Sequence, residues 1–233
     1  MPQLDRSLIA GLPTFSGLSA EQLDLILSMA RSSRYARDSE IFSQAGEANS
    51  FHLLLSGHIR VVRTSPEGQQ VIARYIAEGE LFGIAMAMGR STYPASAVAA
   101  ADCVVLTWPN AAWPDLQARV PAFGAATYQT IGKRLQETQA TVMEMATEQV
   151  EQRIARAILR LVQQSGRKTP EGIEIDFPIT RQEIAEMTGT TLHTVSRVLS
   201  GWEQQGLVRG GRQKVTVVDP HALMLIAENR RGG

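Results

Sequence analysis

Residues 180–218 hold the densest concentration of side chains suited to chemistry, and that chemistry is recognition of a nucleic acid. Counting Arg181 as the first position of the stretch 181–200, Ala185 falls at five, Gly189 at nine, Val195 at fifteen and Val198 at eighteen. Two helices that cross closely need a small residue at five. A tight turn between them needs glycine at nine, where positive φ carries no Cβ penalty. Positions fifteen and eighteen hold the second helix against the first, Ile184 and Leu199 extend that small core, and Thr180 suits an N-cap. The spacing predicts a helix-turn-helix whose second helix, about 191–204, points Leu192, His193, Ser196 and Arg197 outward near the end that enters a major groove. Arg197 can pair bidentately with guanine O6 and N7. Thr180, Arg181, Gln182 and Thr191, with Thr194 beside them, lie where phosphates would be met, partly through helix N-terminal amides. The following segment, 207–218, reads as a β-hairpin with Arg209, Gly210, Gly211, Arg212 and Lys214 at its tip. Arg212 and Lys214 make that tip a basic wing for backbone contact. A glycine between two helices is common; a small residue, glycine, two core positions, a cap and a basic hairpin in succession are far more specific.

No competing chemistry is legible. The chain has no Gly-x-Ser-x-Gly elbow, no phosphate loop ending Gly-Lys-Ser/Thr, no His-x-x-x-His spacing and no paired cysteines. Its four histidines, His52, His58, His193 and His221, are scattered, so an enzyme is not expected. Cys103 is the only cysteine, which excludes an iron–sulfur cluster on cysteine count and suits a reducing cytoplasm. The formal net charge is zero: residues 1–147 hold 11 Lys and Arg against 13 Asp and Glu, residues 148–233 hold 12 against 10. That mild asymmetry permits a local DNA-binding patch. The best apolar run, residues 81–88, is well short of the roughly 20 residues of a membrane span. The opening Met1-Pro2-Gln3-Leu4-Asp5-Arg6 lacks a signal peptide's layout, so no membrane and a cytoplasmic location are expected.

The elements that must position the motif are legible in outline. Residues 18–30 read as a short amphipathic helix with Ser19 as N-cap and Gln22 in a capping box. From about 34 to 108, short apolar segments (41–42, 51–55, 59–62, 71–76, 81–82, 103–108) alternate with turn residues, as in an antiparallel roll or barrel. Trp113-Pro114 and Val120-Pro121 mark helix starts. Residues 122–146 then carry Gly124, Tyr128, Ile131, Leu135, Thr138, Val142 and Met145 in alternating steps of four and three, the spacing of a coiled-coil seam between two chains. A helix over 148–165, a loop over 167–172 and a short strand over 173–177 lead to the motif. The fold class is α+β, with a sensory β-roll domain at 1–120, a dimerisation helix at 121–147 and a winged helix-turn-helix at 148–233.

This layout resembles the catabolite activator and fumarate–nitrate regulator superfamily. The likeness runs through Phe51-His52-Leu53-Leu54-Leu55-Ser56-Gly57, Glu78-Gly79-Glu80-Leu81-Phe82-Gly83, the long helix, and Arg181-Gln182-Glu183-Ile184-Ala185 to Thr194-Val195-Ser196-Arg197. It implies a cyclic-nucleotide-binding-like roll, a homodimer on a pseudo-palindromic DNA site, and contact with RNA polymerase. The departures are informative. Members that bind cyclic AMP carry a Glu and an Arg-Ser pair where this chain has Ile84 and Pro94-Ala95, so no cation faces a cyclic phosphate and cyclic AMP is disfavoured. Carbon-monoxide-sensing members ligate haem through positions that are Gly83 and Ala85 here. The chain looks loosely nearest the haem-associated, nitric-oxide-responsive denitrification regulators. The expected effector pocket is apolar: Leu81, Phe82, Gly83, Ile84, Met86, Met88 and Tyr93. Haem remains open through His52, His58 or Met86, against the plainer readings of His52 facing solvent or a neighbour, His58 exposed and Met86 as core. The effector itself is unknown. His193 stands where many members carry Glu, so base preference there should differ. The alternative is an effector-independent architectural DNA-binding protein with a vestigial sensor domain.

Overall fold

The computed structural model describes residues 4–229, so Met1, Pro2 and Gln3, with which the signal-peptide reading begins, lie outside it. The chain divides into two compact units. One holds residues up to Thr64 together with Tyr75–Glu137; the other holds Ser65–Arg74 together with residues from Thr138 onward.

The first unit opens with α1 (Ser7–Ala10), a 3-10 turn and α2 (Ala20–Ser28). The expected capping box is present at α2: Gln22 N–H donates to Ser19 Oγ (3.3 Å) and Ser19 N–H to Gln22 Oε1 (2.9 Å). Strands β1 (Arg31–Tyr35), β2 (Glu40–Phe42), β3 (Ser50–Ser56), β4 (Ile59–Thr64), β5 (Gln70–Ile76), β6 (Leu81–Phe82), β7 (Ser96–Ala99) and β8 (Cys103–Pro109) follow. They form sheets of order β1-β8-β3-β6 and β2-β7-β4-β5. Then come α3 (Trp113–Arg119) and α4 (Pro121–Thr147), starting at the two Pro signals.

Because successive strand residues point to opposite faces, β3 serves two cores. Phe51 and Leu53 join Phe15, Ile26, Trp108, Trp113 and Phe123 under the helices, where Trp108 Nε1 donates to the Ile26 carbonyl (2.8 Å). Leu54 instead packs with Ile59, Ile76, Phe82 and Val105. Both faces are buried, which is why this strand reads as an apolar run without alternation, interrupted only by His52.

The second unit contains the last turns of α4, then α5 (Val150–Ser165), β9 (Gly166–Thr169), β10 (Gly172–Ile175), α6 (Arg181–Thr188), α7 (Leu192–Gln204), β11 (Val208–Gly211), β12 (Lys214–Val217) and α8 (Pro220–Ala227). Its sheet runs β11-β12-β10-β9. The segment 167–172, expected to be a loop, is largely strand: Gly166–Thr169 pairs antiparallel with β10. Its composition hid this, because a charged edge strand carries no apolar alternation. What holds it is tertiary: the antiparallel backbone ladder with β10, along which Arg167 sits opposite Glu174 and reaches its carboxylate (2.8 Å) and that of Asp176 (2.9 Å). The helix expected from 148 starts at Val150. Strands β1 and β7 and helix α8 had no separate sequence signal. The first is mostly Ser and Arg, the second small residues, and α8 a short run after Asp219, whose side chain caps it by accepting from Ala222 N–H (2.9 Å).

Candidate nucleic-acid interface

The α6–turn–α7 unit is built from its caps inward. The Thr180 hydroxyl accepts from Glu183 N–H (3.1 Å), and the Glu183 carboxylate accepts from Thr180 N–H (2.7 Å) and its hydroxyl (2.9 Å). A carboxylate at a helix N-terminus is favoured by the helix dipole. The helix stops at Gly189 in the left-handed conformation (φ 59°, ψ 42°), with Gly189 N–H returning to the Ala185 carbonyl. Thr191 then caps α7 by accepting from Thr194 N–H (3.1 Å). Ile184, Ala185, Val195 and Leu199 are buried between the helices, and Val198 is half-buried. Helix α5 braces both: Trp202 Nε1 donates to Glu151 Oε1 (2.9 Å), and Arg153 Nε donates to the Thr188 carbonyl (3.1 Å).

The N-terminal end of α7 faces outward. Thr191, Leu192 (47% exposed), His193 and Arg197 are exposed; Thr194 and Ser196 are half-buried. Among the described residues, Arg197 and Arg212 form no ion pair. Arg197 lines a groove together with Gln149, Val150, Glu151, Val198 and Trp202.

The remaining candidates are already engaged. Arg181 is paired with Glu203 (3.1 Å), and the exposed Gln182 donates to Glu186 (2.9 Å). At the wing, Arg209 meets Glu171 (2.6 Å) and Lys214 meets Glu174 (3.4 Å). Arg212 sits in the wing turn beside Gln213, whose φ is 58°. Sequence reasoning treated these cations alike; their acidic partners come from elsewhere in the fold, Glu203 from α7, Glu171 from the segment expected to be a loop and Glu174 from the strand expected over 173–177.

In the roll, the seven expected pocket residues do not face one space. Leu81 and Ile84 are buried under the helices, and Met86 packs on the same cluster. Phe82 enters the other core. Met88 is 44% exposed. Tyr93 stacks on Phe42 at 3.8 Å and donates to the Ser50 carbonyl (2.7 Å). Gly83 has positive φ (65°), and a Cβ there would sit 2.8 Å from the His52 ring.

His52, read as facing solvent or a neighbour, is buried, with Phe42 at 5.5 Å and Phe82 at 5.0 Å. Its Nδ1 is 2.9 Å from Thr107 Oγ1 and its Nε2 is 3.2 Å from Ser50 Oγ. Burial pushes its pKa down to about 4, so the ring is neutral at ordinary pH. With both nitrogens engaged by hydroxyls inside an aromatic stack, His52 does not fit a haem-ligand role. His58 is half-buried rather than exposed. Ile84 and Ala95 are buried, and Pro94 is exposed, so these three positions supply no charge to an anionic ligand. Phe42, Ser50 and Thr107 were not anticipated, because period-two patterning cannot mark inward residues on strands buried on both faces.

The α4 seam also divides. Gly124 is buried, with a Cβ position 3.3 Å from Gln117 Cγ, and Ile131 packs on its own unit's core. Tyr128 is 47% exposed but meets Trp113 edge-on at 6.3 Å. Leu135, Thr138, Val142 and Met145 are exposed, and the Met145 sulfur lies 3.3 Å from where a Gly189 Cβ would be.

Comparison with known proteins agrees with this geometry. Residues 32–119 match the cyclic nucleotide-binding domain model and residues 152–226 the Crp-like helix-turn-helix domain model. The chain is 32% identical over 217 residues to the Cyclic AMP receptor protein of Thermus thermophilus, covering 93% of this chain and 97% of that one. It is 25% identical over 191 residues to the nitrogen fixation regulation protein FixK of Azorhizobium caulinodans, covering 82% and 76%. A crystal structure of a CRP-family transcriptional regulator from Thermus thermophilus superposes with a TM-score of 0.73 at 25% identity, over 84% of this chain and 96% of that one. The chain belongs to the CRP/FNR family of DNA-binding transcription regulators.

Proposed function

We propose that the protein acts as a homodimer that reads a pseudo-palindromic DNA site with α7, under control of a small effector other than cyclic AMP. The observation that carries this reading is the exposed N-terminal end of α7, where His193 and Arg197 project beside the half-buried Ser196 from a helix tied to α5 by the Trp202–Glu151 bond, while the Arg153–Thr188 bond ties down α6 beside it. Arg197 reads a guanine and His193 a neighbouring base. Thr180, Arg181, Gln182, Thr191, Thr194, Arg212 and Lys214 meet the backbone, and Leu192 gives apolar contact. A functional division at 1–120, 121–147 and 148–233 is supported by the two family models, which leave the long helix between them. RNA polymerase is the further partner, and the cytoplasm the setting. No described helix is long and apolar enough to cross a membrane. The uncharged cassette positions Ile84, Pro94 and Ala95 suit an apolar or redox-active effector, as in the nitric-oxide-responsive regulators.

Dimerisation runs through the exposed half of the seam, from Leu135 to Met145. Leu135 is 59% exposed and Val142 61% in the single chain, and with Met145 they form an apolar stripe at heptad spacing that a second helix would cover. Leu135→Ala is expected to raise the dimer dissociation constant by about tenfold to a hundredfold, from roughly 1.5–3 kcal/mol of lost burial summed over the two chains. Analytical ultracentrifugation measures this, and an unchanged constant refutes the seam.

The second reading, effector-independent binding, is favoured by one observation: Phe42, His52, Phe82 and Tyr93 stack within the roll. Selection from a randomised duplex pool at fixed salt separates the two. Both predict enrichment of half-sites about 10 base pairs apart, with a base at the His193 position that departs from the usual family half-site. Effector control predicts that small-molecule cell extract changes the enrichment; the second reading predicts no change. Absence of enrichment under both conditions refutes sequence-specific binding.

A further inference from the structure

The wing sheet carries a row of cross-strand neighbours on one face. Arg209 on β11 lies opposite Thr216 on β12, Thr216 opposite Glu174 on β10, and Glu174 opposite Arg167 on β9. Glu174 is the least exposed member of its ion pairs (side chain 15% exposed) and accepts from Arg167 (2.8 Å) on one side and Lys214 (3.4 Å) on the other. One turn away, Glu171 meets Arg209 at 2.6 Å, with both side chains more than half exposed. Arg212, at the tip, has no ion-pair partner among the described residues.

Exposed pairs of this kind are worth about 0–1 kcal/mol each, so they do not fasten the wing. Their effect is on where positive charge is available. A cation that meets a phosphate releases a counterion and adds about 0.9 to the salt slope of binding; one already neutralised by a carboxylate adds little. Glu174 is half-buried between two cations, which restricts its movement.

We propose that Glu171 and Glu174 set the strength of the wing's electrostatic grip on DNA, holding Arg209 and Lys214 in intramolecular pairs so that Arg212 is the wing cation that meets phosphate at full strength. This rests on the reading of β11–β12 as a DNA-contacting wing and narrows it, since Lys214 then contributes little. The consequence is weak non-specific binding, which leaves discrimination to the bases read by α7. A regulator facing a genome of competing sites gains from a high specificity ratio rather than from raw affinity.

The test measures affinity of the dimer for a non-specific duplex from about 50 to 200 mM salt. The double variant Glu171→Gln/Glu174→Gln is expected to steepen the salt slope by about 2 and to bind about tenfold tighter at the low-salt end, converging on the parent at the high-salt end. Glu171→Gln alone, a surface change that leaves the fold intact, is expected to add about 1, and it decides the matter if the double variant melts early. Arg212→Ala is expected to lower the slope by about 1. Glu47→Gln removes the same charge from an exposed position in the roll and is expected to leave the slope unchanged. If Arg212→Ala lowers the slope while the glutamate variants match the parent, the metering role is overturned and the wing contact stands. If Arg212→Ala also has no effect, the wing reading fails and the proposal with it. A rise for Glu47→Gln equal to that for Glu171→Gln overturns the proposal too, because the effect is then general charge.

Discussion

Replacing Arg197 with alanine is expected to weaken binding to the selected palindrome by about a hundredfold to ten-thousandfold while leaving non-specific binding nearly unchanged. A bidentate arginine–guanine contact is worth about 1–3 kcal/mol of discrimination, and in a two-fold symmetric complex the loss counts twice. The side chain is exposed on α7 and forms no ion pair among the described residues, so stability should move by no more than about 0.5 kcal/mol. Arg197→Lys should recover little, because an ammonium cannot present the planar fork that guanine O6 and N7 require. Titrations against the selected site and against a duplex altered at the contacted base pair check this. The parent should discriminate between them and the variant should not. Equal losses on both duplexes would instead assign Arg197 to the phosphate backbone.

A second large effect is expected from pH acting on His52. In the folded chain its pKa is about 4 because burial disfavours the imidazolium; in the unfolded chain it is near the ordinary 6.5. Between those values the unfolded state binds a proton that the folded state refuses, so stability rises with pH across this window. The contribution is complete above about pH 6.5, falls as the solution is acidified, and is gone below about pH 4. Its full size is on the order of 3 kcal/mol. Carboxylates titrate in part of the same range, so the readout is the difference between parent and His52→Gln. That variant keeps a donor and an acceptor for Thr107 and Ser50 but has no proton to gain. The variant's denaturation midpoint should depend less on pH between 4 and 6.5, and parallel profiles would refute the assignment. The same placement means that His52 does not titrate near neutrality, so it supplies no physiological pH switch.

The DNA-reading half was legible because its constraints are local. A cap at Thr180, a small residue at Ala185, a left-handed glycine at Gly189 and core residues at Val195 and Leu199 are each dictated within one or two turns of the chain, and the structure has them in those roles. The roll was legible as a rhythm of short strands but not as an interior. The apolar string around the cassette suggested one pocket, whereas the strand pleat and the turn at Gly83 send Leu81 and Ile84 one way, Phe82 another and Met88 to the surface.

By itself, then, the amino-acid sequence determined the succession of a strand-rich roll, a heptad helix, and a helix-turn-helix with its capping and hairpin. Only the tertiary structure decided the rest. It withdrew Gly124 and Ile131 from the free side of α4 and left Leu135, Val142 and Met145 exposed. It buried His52 as a neutral ring between hydroxyls. It paired Arg181, Arg209 and Lys214 with Glu203, Glu171 and Glu174 while leaving Arg197 and Arg212 available. The physical reason is one of range. Helix period, caps and turns are set by neighbours a few residues apart, whereas the charge a cation presents and the proton a histidine holds depend on groups that only folding brings within hydrogen-bonding distance.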